Sequence, residues 1–233
     1  MEVAVHDSYL DLPESRTRRL EDISATEFYL QSLRNSKEKI TIVTVGPLTN
    51  LALALRADER IVENIDKIVV MGGGYRLTNR TPGAEFNFWV DPEAAQIVLT
   101  CGSEILMVPL DATHEAAVSS QFAERLKSHN TKAGNYVSEL IESRRRGYNA
   151  WQPMEDENTV PIHDALAVAA LIDEAVLKNV ISARVDVNTS MGISDGSCVV
   201  DIDYKDKSKK HNVMLATGAN VEKFENLMEE IFK

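Results

Sequence analysis

Cysteine is scarce in this chain of 233 residues, with only Cys101 and Cys198. Two cysteines cannot build a disulfide framework, and neither has a CxxC partner or a nearby histidine that would suggest zinc. They read as reduced core thiols in a reducing compartment, and a cytoplasmic location is expected. Long apolar runs are missing as well: nothing approaches the roughly 20 residues of a membrane span, so no membrane partner is expected. The opening Met1-Glu2-Val3-Ala4-Val5-His6-Asp7 lacks the basic and apolar regions of a secretory signal. Basic residues are outnumbered, with 25 Lys and Arg against 36 Asp and Glu and a net charge of −11. That balance disfavours nucleic acid and anionic membranes. The basic run Arg144-Arg145-Arg146 is read as a solvated helix end. Repeats, low-complexity stretches and linkers are absent, and a single domain over residues 1–233 is expected.

What the chain has is apolar content, 44% of its residues, enough for one sizeable core. Ile40-Thr41-Ile42-Val43-Thr44-Val45 is a β-branched run stopped by Gly46-Pro47. Being continuous rather than alternating, it predicts a strand buried on both faces, the parallel-sheet pattern. Lys67–Met71 ends in three glycines, and Glu104–Leu110 follows a helical stretch at Pro92–Leu99, so both repeat the pattern. Thr49-Asn50 can cap a helix directly after the first strand. Strands alternating with helices predict an α/β fold, a mostly parallel open sheet with helices on both faces and a Rossmann-like core. Residues from Ser119 to Arg146 have helical period, and Gly147 to Pro161 reads as a looser segment. An apolar helix over Ala165–Ile172 follows. The tail predicts antiparallel edge strands at Ala183–Val187 and Cys198–Ile202, a strand at Asn212–Ala216 and a closing helix from Val221.

Ligands of open α/β sheets bind beyond the carboxyl ends of the strands, which directs attention to the loops there. After Met71 come Gly72-Gly73-Gly74 and then Asn79, Glu85 and Asn87. Polar groups beside glycines that admit close backbone approach suit a polyhydroxylated ligand such as a sugar. Glu85 and Asn87 could instead cap the next helix, although Asp91-Pro92 suits that role. His163-Asp164 stands before an apolar helix, where Asp164 fits an N-cap. Alternatively the pair is a site, since His moves protons near neutral pH and Asp is a hard ligand for a divalent cation. Thr113-His114 after the third strand is a weaker case of the same kind.

Several segments coincide with the motifs of one family. Val45-Gly46-Pro47-Leu48-Thr49-Asn50-Leu51-Ala52, Met71-Gly72-Gly73, and Ala84-Glu85-Phe86-Asn87 with Asp91-Pro92-Glu93-Ala94-Ala95 behind it are three of them. Pro109–His114 and Pro161-Ile162-His163-Asp164 complete the set, in register from about Glu38 to the C-terminus. Together they resemble the inosine–uridine-type nucleoside hydrolases. The resemblance implies hydrolysis of the N-glycosidic bond of purine or pyrimidine ribonucleosides to ribose and free base. It implies that Asn79, Glu85 and Asn87 hold the ribose, that Met71 lines its pocket, and that His163 lies near the leaving base. It further implies a Ca²⁺ cofactor, with Asp164 and the Val45 carbonyl as ligands, and base contacts from around Tyr148 and Trp151. The family's opening aspartate motif, DxDPGxDD, does not occur in this sequence. The expectation is therefore a chain without the family's N-terminal segment: an incomplete calcium site, doubtful turnover alone, and homo-oligomers, or aggregation, through an uncovered sheet edge. The competing classes are an inactive ribose-binding module and a regulatory partner of a full-length paralogue.

Overall fold

A computed structural model describes residues 22–233. The described residues begin with α1 (Ala25–Asn35), β1 (Ile40–Thr44), α2 (Thr49–Ala57), β2 (Ile65–Met71), α3 (Phe86–Val90), α4 (Pro92–Leu99) and β3 (Glu104–Val108). It continues through α5 (Leu110–Glu115), β4 (Val118–Ser119), α6 (Ser120–Ser128), α7 (Lys132–Trp151), β5 (Thr159–Val160) and α8 (His163–Ile172). Last come β6 (Leu177–Val187), β7 (Cys198–Asp201), β8 (Val213–Ala219) and α9 (Val221–Phe232). These elements fall into two compact units, a sheet unit of residues 22–112 with Leu177–Gly218, and a helical unit of Thr113–Val176 with Ala219–Lys233.

The sheet unit carries six strands in the order β1-β2-β3-β8-β6-β7. β1 with β2, β2 with β3, and β3 with β8 are parallel, while β6 and β7 form an antiparallel hairpin at the far edge. The three expected parallel neighbours and the antiparallel tail strands are thus in place. Ile68, Val69, Val70 and Met71 are all buried. Successive side chains of a strand point to opposite faces, so four buried in a row require both faces of β2 to be covered. Leu51, Leu55, Phe88, Leu99, Ile105, Met107 and Leu215 fill the core of this unit.

Asp91 organises the helices beside that core. One carboxylate oxygen N-caps α4 by accepting from the Ala94 N–H (3.0 Å), and the other accepts from the Thr49 hydroxyl (2.5 Å). Thr49 is therefore the first residue of α2, tied to Asp91 and not acting as its cap; the cap position is Leu48, which offers no side-chain bond.

In the helical unit, α6 and α7 are separate helices. Asn130 adopts φ +53°, and Thr131 restarts the helix by accepting from Gly134 N–H. α7 then runs on to Trp151, so the segment expected to loosen at Gly147 is helical for another turn. β4 and β5 pair antiparallel, Val118 opposite Val160. Phe122, Leu126, Phe224 and Met228 are buried. Arg125 is bonded to Glu225 and Glu229, which ties α6 to α9. α8 buries Leu166, Ala167, Ala169 and Ala170, and its cap position is Ile162 with no side-chain bond. Asp164 lies inside the first turn and is not the N-cap. No helix among the described residues is long and apolar enough to cross a membrane.

Candidate functional site

The segment between β2 and α3 is held by its own polar side chains. Glu85 is the N-cap of α3, its Oε2 accepting from Phe88 N–H (3.2 Å) and from Gly73 N–H (2.9 Å). The capping role considered from sequence is real, and the same carboxylate also grips the glycine loop. Asn87 lies within α3, and its amide donates to the Met71 carbonyl (3.0 Å). Asn79 Oδ1 accepts from Phe86 N–H (2.9 Å), which folds the loop back onto the start of α3. Glu85 and Asn87 are buried, at 3% and 7% exposure. Met71, Asn79, Glu85 and Asn87 are therefore gathered at the carboxyl end of β2 within one unit.

The glycines make this possible. Gly73 has φ +71°, a conformation that side chains disfavour, and a Cβ there would lie 2.6 Å from Met107 Cε. At Gly74 a Cβ would lie 2.0 Å from the Leu77 carbonyl oxygen. Asp111, which the sequence offered only as part of the Pro109–His114 motif, is buried and accepts from Tyr75 N–H (2.9 Å), Arg76 N–H (3.1 Å) and Arg76 Nε (3.3 Å). The signal available was an acidic residue directly after a buried strand, in Pro109-Leu110-Asp111.

The helical unit holds a second polar group. Thr113 Oγ1 is 2.7 Å from His163 Nδ1. The Tyr148 hydroxyl donates to Gln152 Oε1 (3.0 Å) and lies 2.9 Å from His114 Nε2. The His163 ring is 5.8 Å, centroid to centroid, from both His114 and Tyr148. Trp151 meets Tyr148 edge-on at 6.3 Å. Arg144, read from sequence as part of a solvated helix end, has its guanidinium 5.0 Å from the Tyr148 ring centre. Burial pulls its pKa down, against the opposing pull of Tyr148 and Asp164. Burial first, then the charges of Arg144 and His114, hold His163 well below the usual histidine range, so its imidazole is neutral at pH 7. Its Nε2 is buried with no hydrogen-bond partner among the described residues. Tyr148 is fully buried, and burial pushes its hydroxyl well above the usual tyrosine range. A neutral imidazole anchored at Nδ1 can present Nε2 to a heteroatom brought to it.

Two polar groups carrying residues of four of the five motifs invite comparison with known proteins. The family model described as inosine-uridine preferring nucleoside hydrolase matches residues 4–226. The chain belongs to this family.

Among the nucleoside hydrolases most similar to it is the inosine-uridine preferring nucleoside hydrolase of Leishmania major, 32% identical over 213 residues, 91% of this chain and 66% of that protein. The pyrimidine-specific ribonucleoside hydrolase RihA of Enterobacter sp. (strain 638) is 35% identical over 221 residues, 94% of this chain and 68% of that protein. The chain thus spans about two thirds of the length of these relatives. Among solved structures, a plant nucleoside hydrolase superposes with a TM-score of 0.85 at 27% identity, covering 97% of this chain and 71% of the other. The purine-preferring ribonucleoside hydrolase from Gardnerella vaginalis gives 0.82 at 28%, covering 94% and 68%.

The donor set bears on the calcium that the resemblance attaches to nucleoside hydrolases. Among the described residues no group of three or more His, Cys, Asp or Glu side chains could hold a metal ion. Ca²⁺ takes 6–8 oxygens. Asp164 supplies one carboxylate and Val45 one carbonyl, too few ligands for such a set. The described residues do not fit the ion, and no step is derived through it.

Proposed function

We propose that this chain acts on ribonucleosides as an N-ribohydrolase, water replacing the base at the anomeric carbon to give ribose and free base. The observation that carries the reading is the gathering of Asn79, Glu85, Asn87 and Met71 around the glycine loop at the end of β2. Ribose is the part common to all such substrates, and its vicinal hydroxyls need paired donors and acceptors, which carboxylate and amide side chains supply. Bond cleavage of this kind passes through an oxocarbenium-like sugar, as in glycoside hydrolysis. A carboxylate at the diol favours the positive charge that develops there, and Glu85 takes that role. Asn79 and Asn87 orient the sugar, with Met71 against it. The family resemblance assigns the departing base to His163, whose neutral ring can donate a hydrogen bond from Nε2, and to Tyr148 and Trp151.

The relatives' names cover both purine- and pyrimidine-directed enzymes, so the proposed substrate class is ribonucleosides of either kind. A cytoplasmic location, expected from the reduced cysteines, and a homo-oligomeric state complete the reading; Ca²⁺ is the cofactor that the family resemblance implies, but Asp164 and the Val45 carbonyl are too few to hold it.

The test is ribose release from inosine and uridine by the full chain, with and without added Ca²⁺, beside calorimetric titration with ribose. Release that Glu85→Gln abolishes supports hydrolysis. Ribose binding without release, with or without the ion, would instead make this a binding module. Failure of ribose to bind at all would overturn the assignment of the clamp.

A further inference from the structure

We propose that Asp111 is a positioning residue for the sugar clamp, fixing the far end of the glycine loop so that Gly73 N–H aims the Glu85 carboxylate. The inference rests on the ribonucleoside reading above and adds to it a residue that does not touch substrate.

The side chain of Asp111 is wholly buried, and three donors converge on it. Its Oδ2 takes Tyr75 N–H, and its Oδ1 takes Arg76 N–H and Nε. One residue earlier, the Leu110 N–H donates to the Gly73 carbonyl at 3.0 Å. The start of α5 therefore grips the loop at Gly73, Tyr75 and Arg76, while Glu85 grips it from the opposite side through Gly73 N–H. Gly73 is pinned at both its N–H and its carbonyl, in a left-handed conformation with no room for a side chain.

The choice of a carboxylate at this position follows from the donors. All three groups facing Asp111 are N–H donors, and only a carboxylate offers acceptors on both oxygens. An asparagine would turn one –NH₂ toward a backbone N–H in either orientation. The Arg76 side chain is 64% exposed, and an ion pair with so exposed a partner contributes little. The two backbone bonds are what the carboxylate is for. Their effect passes along three residues of pinned backbone to Glu85, because the loop has no slack at Gly73 or Gly74 in which to absorb a shift.

Ribose itself is the probe, titrated calorimetrically into the full chain at a temperature where each variant is folded by circular dichroism. Asp111→Asn is expected to weaken ribose binding roughly tenfold or more, as misplacement of a clamp group does. It should also speed amide exchange at Gly73, a readout on the other side of the loop from the substitution. Arg76→Ala, which leaves both backbone bonds in place, should change ribose affinity by less than about twofold.

If Asp111→Asn keeps wild-type ribose affinity and Gly73 protection while Glu85→Gln loses binding, the inference fails and the clamp stands. If Glu85→Gln also binds ribose like the wild type, or the wild type does not bind it, the underlying reading fails with it. Should Asp111→Asn not fold, Asp111→Glu keeps the charge and displaces the carboxylate by one methylene. Unchanged ribose affinity in that variant overturns the proposal equally.

Discussion

Single side chains here serve backbone and chemistry together. Asn87→Ala would remove one hydrogen bond to the carbonyl of the buried Met71. Such a loss costs about 1 kcal/mol, read as a lower urea midpoint with an unchanged slope. Cys198 behaves differently. Its sulfur packs where a Gly73 side chain would project, and burial pushes its thiol up to about 12. The folded state thus keeps a proton that the unfolded chain releases near pH ~8.5, so stability should fall as pH rises from there toward the folded value. Cys198→Ala should flatten that alkaline decline, and alkylation at pH 8 should reach Cys198 in urea but not in the native protein. Asn79, Glu85, Asn87 and His163 were legible in the sequence because they stand in short motifs beside glycine or a helix start. Asp111 and Arg144 were not, since their roles come from groups far away in the chain or a helical turn along it. A basic run gives no hint that one of its three arginines lies over a tyrosine ring.

Elements depend on a few contacts whose removal has a defined cost. Gly74→Ala would drive a methyl to 2.0 Å from the Leu77 carbonyl, a backbone atom with little freedom to move. A loss of more than about 2 kcal/mol in thermal unfolding is expected, well above the roughly 1 kcal/mol average of point substitutions. β6 is fastened to α4 by Asp186, which accepts from Gln96 (3.0 Å) and Lys209 (3.1 Å) and pairs with Arg184. Arg184 first, then Gln96 and Lys209, hold the Asp186 carboxyl well below the usual range. A lowered folded pKa means stabilisation present above the unfolded value of ~3.9 and lost as pH falls through the folded one. Asp186→Asn should therefore lower stability by about 1 kcal/mol at pH 7, a figure kept small by partial exposure, with the difference shrinking below pH ~4. The strands were readable because β-branched runs ended at glycine or proline. The split between α6 and α7 was not, because His129, Asn130 and Thr131 interrupt the apolar stripe without Gly or Pro, and only the left-handed Asn130 marks the break.

At the scale of the molecule, β1 lies at one edge of the sheet formed by the described residues. β1 pairs only with β2 among the described residues, and Thr41 on it is exposed. Open edge strands recruit other chains, and a charge placed on them blocks it. Thr41→Lys should reduce the apparent mass in light scattering at high protein concentration if self-association runs through this edge. The order of the sheet has another consequence, for how the protein is made. β8, the last in sequence of the described strands, is also one of the innermost, lying between β3 and β6 with Leu215 and Ala216 fully buried. On a ribosome adding roughly 5–20 residues each second, β3 emerges while its partner is still about a hundred codons away. Until Val213–Ala219 clears the exit tunnel, the nascent sheet has a gap at its centre. Such a chain has to be shielded during translation, and a stop codon anywhere before Val213 would release a product with no route to the native sheet.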